Sequence, residues 1–109
     1  MTTFSERESA FENKFKHDKE LEFKVTNRRN KMLGLWAAQL LGIDGAEAEA
    51  YAKSVVSADF EKPGDDDVLQ KVLADFKTKN VDISEHRLRK QMDELLNAAK
   101  QQIMGEVKL

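Results

Sequence analysis

Between residues 21 and 41 the apolar positions Leu21, Val25, Met32, Trp36 and Leu40 recur at intervals of four and seven, while Arg28, Arg29 and Lys31 fill the intervening turn. At 3.6 residues per turn this spacing predicts one amphipathic helix of about five turns with a basic collar at its middle. Upstream, Phe4, Phe11 and Phe15 also share a helical face. On a continuous helix that face lies roughly 60 to 80 degrees from the later stripe. Lys16, His17, Asp18, Lys19 and Glu20 separate the two stripes with no apolar anchor. Residues 1–19 therefore read as an N-terminal arm able to become helical, whose aromatic face the core does not need.

Downstream, the long helix is predicted to stop at Gly42, which suits the left-handed position after a helix end. Ile43, Asp44 and Glu47 have the form of a staple residue, an N-cap and a capping-box acid. Ala48, Tyr51, Ala52, Val55, Val56 and Phe60 give the next amphipathic stretch, closed by the turn Lys62, Pro63, Gly64. Asp65, Asp66 and Asp67 place negative charge where a helix start favours it, ahead of the stripe Leu69, Val72, Leu73 and Phe76. Asn80 suits the close of that helix. Ile83 and Ser84 open the last one as staple and N-cap before Leu88, Met92, Leu95, Leu96, Ala99 and Ile103. No alternating β-branched strand occurs in the chain. The expected fold is all-α: an antiparallel four-helix bundle over residues 20–109, preceded by a mobile arm over 1–19 that is disordered or frayed when free. Trp36, Tyr51, Phe60, Phe76, Leu95 and Leu96 are the core candidates.

Composition narrows the function classes. A chain of 109 residues with 35% charged and 40% hydrophobic content fits one helical domain. The longest apolar stretch is broken by Gln39 and is too short for a membrane span, and MTTFSERESAF lacks a signal-peptide apolar region, so export is not expected. The absence of cysteine excludes disulfides, thiolate metal sites and cysteine nucleophiles. Residues 1–33 carry eight Lys or Arg against six Asp or Glu (+2), and residues 34–109 carry ten against fourteen (−4), which sum to the net −2. That asymmetry is too small for a dedicated nucleic-acid surface.

Reactive constellations are equally scarce. His86 sits beside Ser84 and Glu85 as cap decoration, and a single histidine makes a poor metal site. His17, in the polar break, reads as an exposed histidine, with a pH-sensitive arm switch as the sharper alternative. The Asp65–Asp67 run lacks the alternating pattern of a calcium loop, and the five glycines form no phosphate-binding motif. Arg28, Arg29 and Lys31 are read first as the solvated side of an amphipathic helix, and second as a grip on phosphate or an acidic partner. No serine has a base and orienter at readable spacing, so an enzyme is not expected. The arm is the one feature that a self-contained domain would not need. By composition alone its phenylalanines could equally fold back onto the bundle. The stripe offset and the dense charge of Glu6, Arg7, Glu8, Glu12 and Lys14 favour helix-in-groove recognition instead, with aromatic anchors entering a partner and charges setting register.

The opening MTTFSERESAFENKFKHDKELEFKVTNRRNKMLGLWAAQLLG, continued by YAKSVVSADFEKPGDDDVLQK, strongly resembles the zeta subunit family of alphaproteobacterial F-type ATP synthases. The words RRNK, LGLWAA and PGD in that order carry the likeness. The resemblance implies an inhibitor of the F1 sector, cytoplasmic and peripheral on the inner-membrane ATP synthase; a monomer is expected, and charge and hydropathy already speak against nucleic-acid binding and membrane insertion. Its arm would insert at a catalytic interface between the α and β subunits, near γ, and block hydrolysis. Carried over position by position, the partner-binding residues would be Phe4, Arg7, Glu8, Phe11, Glu12, Lys14, Phe15 and Asp18. Phe11 and Phe15 would supply apolar burial, and Arg7, Glu8 and Glu12 would set register. Ser5 and Ser9 stand where the family pattern has charged residues, which points to weak or regulatory inhibition. The fold is also associated with weak ADP or ATP binding, although no residue here marks such a site. The alternative function is a small helical adenine-nucleotide-binding or sensor protein without ATPase inhibition.

Overall fold

The computed structural model describes residues 3–61 and 65–106, with side chains for all of these except residues 3–5, 7, 60 and 61. Five helices run through the described residues: α1 (Thr3–His17), α2 (Lys19–Leu41), α3 (Gly45–Glu61), α4 (Asp65–Thr78) and α5 (Glu85–Glu106). The fold is all-α, and no strand occurs among these residues. The turn at Pro63 and Gly64 lies outside the described residues, as does the side chain of Phe60.

Local chemistry sets the helix ends. Gly42 takes a left-handed φ of 77°, the Gly42 N–H bonds to the Gln39 carbonyl, and the Ile43 N–H reaches back to the Ala38 carbonyl at 2.9 Å. Asn80 does the same work after α4 with φ 59°, and the Val81 N–H bonds to the Phe76 carbonyl at 2.8 Å. In both places a residue that tolerates positive φ closes the helix and satisfies carbonyls that would otherwise be orphaned. Ser84 caps α5, its Oγ accepting the Arg87 N–H at 3.1 Å.

α2 is the central element and packs against α1, α3, α4 and α5; α4 also packs against α3 and α5. One core cluster joins Leu33 and Ala37 of α2, Val55 of α3, Val68, Leu69, Val72, Leu73 and Phe76 of α4, and Leu88 and Met92 of α5. A second cluster joins Phe11 of α1, Leu21 and Val25 of α2, and Ala99, Ile103 and Met104 of α5. The buried seam of α2 therefore runs Leu21, Val25, Arg29, Leu33, Ala37, flanked by Asn30, Gly34 and Ala38. Its position corrects the expected stripe in three places. Leu40 is 41% exposed. Met32 and Trp36 are half-buried, packed against the clusters rather than inside them. Among the core candidates whose side chains are described, only Phe76 is fully buried, and Tyr51, Leu95 and Leu96 are half-buried.

The small residues of α2 explain the shift. A Cβ placed on Gly34 would stand 2.5 Å from the Ala52 Cα of α3, so the two backbones meet where neither residue has bulk. Alanine and glycine score weakly in a hydrophobic stripe, yet here they set how closely the helices approach.

Candidate functional site

The arm and its seat are built around Asp18. With φ −114° and ψ 104° this residue leaves helical geometry, and its carboxylate accepts the N–H groups of Glu20 at 3.0 Å and Leu21 at 3.2 Å. It is thus the N-cap of α2, and acidic caps are favoured by both hydrogen bonding and the helix dipole. The break it introduces re-aims α1 relative to α2. The offset between the two apolar stripes, which holds only for one continuous helix, is cancelled by this bend.

Once re-aimed, α1 lays its aromatic ridge on α2 and α5. Phe11 is 2% exposed among Leu21, Val25, Ala99, Ile103 and Met104, and Phe15 packs at the border of the same cluster. The two rings stack with centroids 6.3 Å apart and planes inclined by 24°. Lys100 of α5 clasps the ridge from outside: its ammonium lies 4.5 Å from the Phe15 ring centroid and 3.7 Å from the Glu12 carboxylate. In the structure, then, Phe11 is part of a core cluster and Phe15 packs against it, contrary to the expectation that the core does not need the aromatic face of the arm. The opposite face of α1 remains polar, with Glu8, Ser9, Asn13, Lys14 and Lys16 exposed.

Of the proposed partner-binding residues, Phe11, Glu12 and Phe15 meet at this seat, while Glu8 and Lys14 point to solvent. Asp18 is occupied as a cap. The side chains of Phe4 and Arg7 lie outside those described. Lys100 was invisible to sequence reasoning because nothing local separates it from the other lysines. Only the return of α5 beside α1 gives it a role.

The basic collar divides into three different environments. Arg29 is 2% exposed; its Nε donates to the Asn30 Oδ1 and its Nη2 to the Asp65 Oδ1, both at 2.7 Å. The reading of a solvated face fails for this residue, since the seam of α2 passes directly over it. Arg28 makes a forked pair with Glu106, at 2.8 and 3.2 Å, and also donates to Gln102. The Arg28 hydrogen bond holds the Glu106 carboxyl below the usual carboxylate range. Lys31 is exposed. Beside the collar, Phe23, Lys24, Asn27, Arg28, Lys31, Val56, Ile103 and Glu106 line an open groove of about 410 Å³.

Elsewhere, Tyr51 donates to the Asp75 carboxylate at 2.8 Å and Lys71 donates to the same oxygen at 3.0 Å. Burial first, and the Asp75 hydrogen bond second, push the Tyr51 hydroxyl far above its ordinary pKa. A group held so firmly protonated is a structural donor and not a base. Among the described residues no three metal-ligating side chains converge, and no helix is long and apolar enough to cross a membrane.

Fold and site together define a small all-α protein whose distinctive surface is an aromatic helix seated on two others. The chain belongs to the ATPase inhibitor subunit zeta family, whose profile matches residues 1–102, arm included. A solution NMR structure 46% identical in sequence superposes with a TM-score of 0.70, the match covering 80% of this chain and 99% of that one. A search of curated proteins matched none.

Proposed function

We propose that this chain is an inhibitory, regulatory subunit of the F1Fo-ATP synthase, in which α2 to α5 form an antiparallel four-helix bundle that anchors the molecule and α1 inserts at a catalytic α/β interface near γ to block ATP hydrolysis. The observation that carries the reading is α1 itself. It is a preformed amphipathic helix with a stacked Phe11–Phe15 ridge on one face and charge on the other, joined to α2 through a single non-helical residue. The family match runs through the arm as well as the bundle, which supports treating the two as one functional unit. The same family points to a regulatory protein and not an enzyme, acting on the peripheral, water-exposed sector of the ATP synthase.

Insertion of such a helix places the two phenylalanines in a pocket of the partner and leaves Arg7, Glu8 and Glu12 to fix register at the rim. Truncating one aromatic anchor is expected to weaken inhibition by about 2–4 kcal/mol of binding, and truncating Glu8, an exposed charge, by far less. Inhibition titrations of F1 hydrolysis with Phe15→Ala and Glu8→Ala test this order. Equal effects of the two would reject aromatic anchoring.

A second reading, weak adenine-nucleotide binding, is supported by one feature. The groove beside the collar sets Phe23, 51% exposed, among Lys24, Arg28 and Lys31. Aromatic and cationic side chains of this kind suit a base and its phosphates. A saturable change in Trp36 fluorescence or in backbone amide shifts around Phe23 on titration with ADP tests it.

A further inference from the structure

The same two phenylalanines cannot be buried in a partner and in their own chain at once. We propose that the α2–α5 face formed by Leu21, Val25, Ala99, Ile103 and Met104 is an internal docking surface for α1, and that the chain holds its own inhibitory helix there, in competition with the ATPase. This inference rests on the proposed function, because it concerns the regulation of the same arm.

The occupant is fixed by the structure. Phe11 is 2% exposed on that face, and the stacked Phe15 extends the contact to its edge. Lys100 closes the seat with one ammonium that serves both the Phe15 ring and the Glu12 carboxylate. The junction is suited to release: α1 and α2 are separate helices whose connection at Asp18 is already extended, and the side-chain bonds that cap α2 run from the Asp18 carboxylate to Glu20 and Leu21 of α2 itself. α1 can therefore leave its seat without uncapping α2.

Competition has a simple arithmetic. When only a fraction of molecules carries a free arm, apparent affinity for the partner falls by that fraction. Anything that loosens the seat without touching the arm makes the inhibitor stronger, and anything that fixes the seat makes it weaker. Most disruptive substitutions weaken binding, so the opposite sign is diagnostic.

Lys100→Glu places a carboxylate against Glu12 and removes the cation from the Phe15 ring. The concentration of full-length chain that halves F1 hydrolysis is expected to drop about threefold to tenfold, with faster amide exchange over residues 8–17 and unchanged exchange in α3 and α4. Because the chain has no native cysteine, the double substitution Glu12→Cys with Lys100→Cys, bridged by a cleavable bis-maleimide, supplies the opposite arm. The bridged chain is expected to inhibit less than the same double variant left unbridged, and cleavage is expected to return it to that variant's own level, whatever Glu12→Cys costs at the partner's rim. Unchanged or weaker inhibition by Lys100→Glu, with circular dichroism showing the fold intact, overturns internal competition, as does inhibition by the bridged chain equal to that of the unbridged double variant. Failure of the unmodified chain to inhibit F1 overturns the functional reading as well, so the two failures are told apart by that control.

Discussion

Arg29 shows how one residue can change category between sequence and structure. In the sequence it is the middle of a cationic run, yet in the fold its guanidinium is enclosed and tied to Asn30 and Asp65. A buried charge that loses its bonds is expensive, whereas an exposed one is not. Arg29→Met is expected to lower stability by about 1–3 kcal/mol, measured by chemical denaturation, while Arg28→Met leaves the transition nearly unmoved. Gly34 gives a second residue-scale expectation. An added methyl meets the Ala52 backbone of α3, which cannot swing aside as a side chain would. Gly34→Ala is expected to cost about 1–3 kcal/mol despite the better helix propensity of alanine. Tyr51 makes a third, through pH. Its folded-state pKa is raised above the unfolded value of about 10, so its contribution is complete below that value and is lost as pH rises beyond it. As the sole tyrosine, it is expected to show no tyrosinate absorbance in an alkaline titration until the chain unfolds. Tyr51→Phe is expected to flatten the loss of stability above pH 10.

At the level of elements, several helix ends were legible from local signals, although the N-cap at Asp18 was not. Gly42, Asn80 and Ser84 all perform the capping that their residue types imply, and the acidic start of α4 stands where Asp65 to Asp67 place it. The interior of α2 was less legible. Its seam relies on Arg29, Gly34, Ala37 and Ala38, which carry little hydrophobic signal because they serve close approach and hydrogen bonding. The site was the least legible part. A periodicity argument treats residues 4 to 40 as one axis, and the Asp18 bend that reunites the Phe11 and Leu21 faces is invisible to it. Phe11→Ala belongs to this scale, since it loosens one helix from two others. Amide exchange over residues 8–17 is expected to rise sharply, while the exchange of α4 core amides, which reports the bundle, changes little. A matching rise in α4 would mean that α1 and the bundle unfold as one unit.

For the whole molecule, the two core clusters divide the labour. The cluster of Leu33, Val55, Leu69, Val72 and Leu88 contains none of the described side chains of α1, whereas the second is completed by Phe11. On the proposed function, that division would serve an anchor that stays folded and an arm with two destinations, its own seat and a partner. The most direct test of that claim is ATP hydrolysis by F1 from the same organism, comparing the full chain with a chain lacking residues 1–19 whose helical content is verified by circular dichroism. Inhibition by the full chain and none by the shortened one is the expected result. Equal inhibition by both, or by neither, would contradict a function carried by α1.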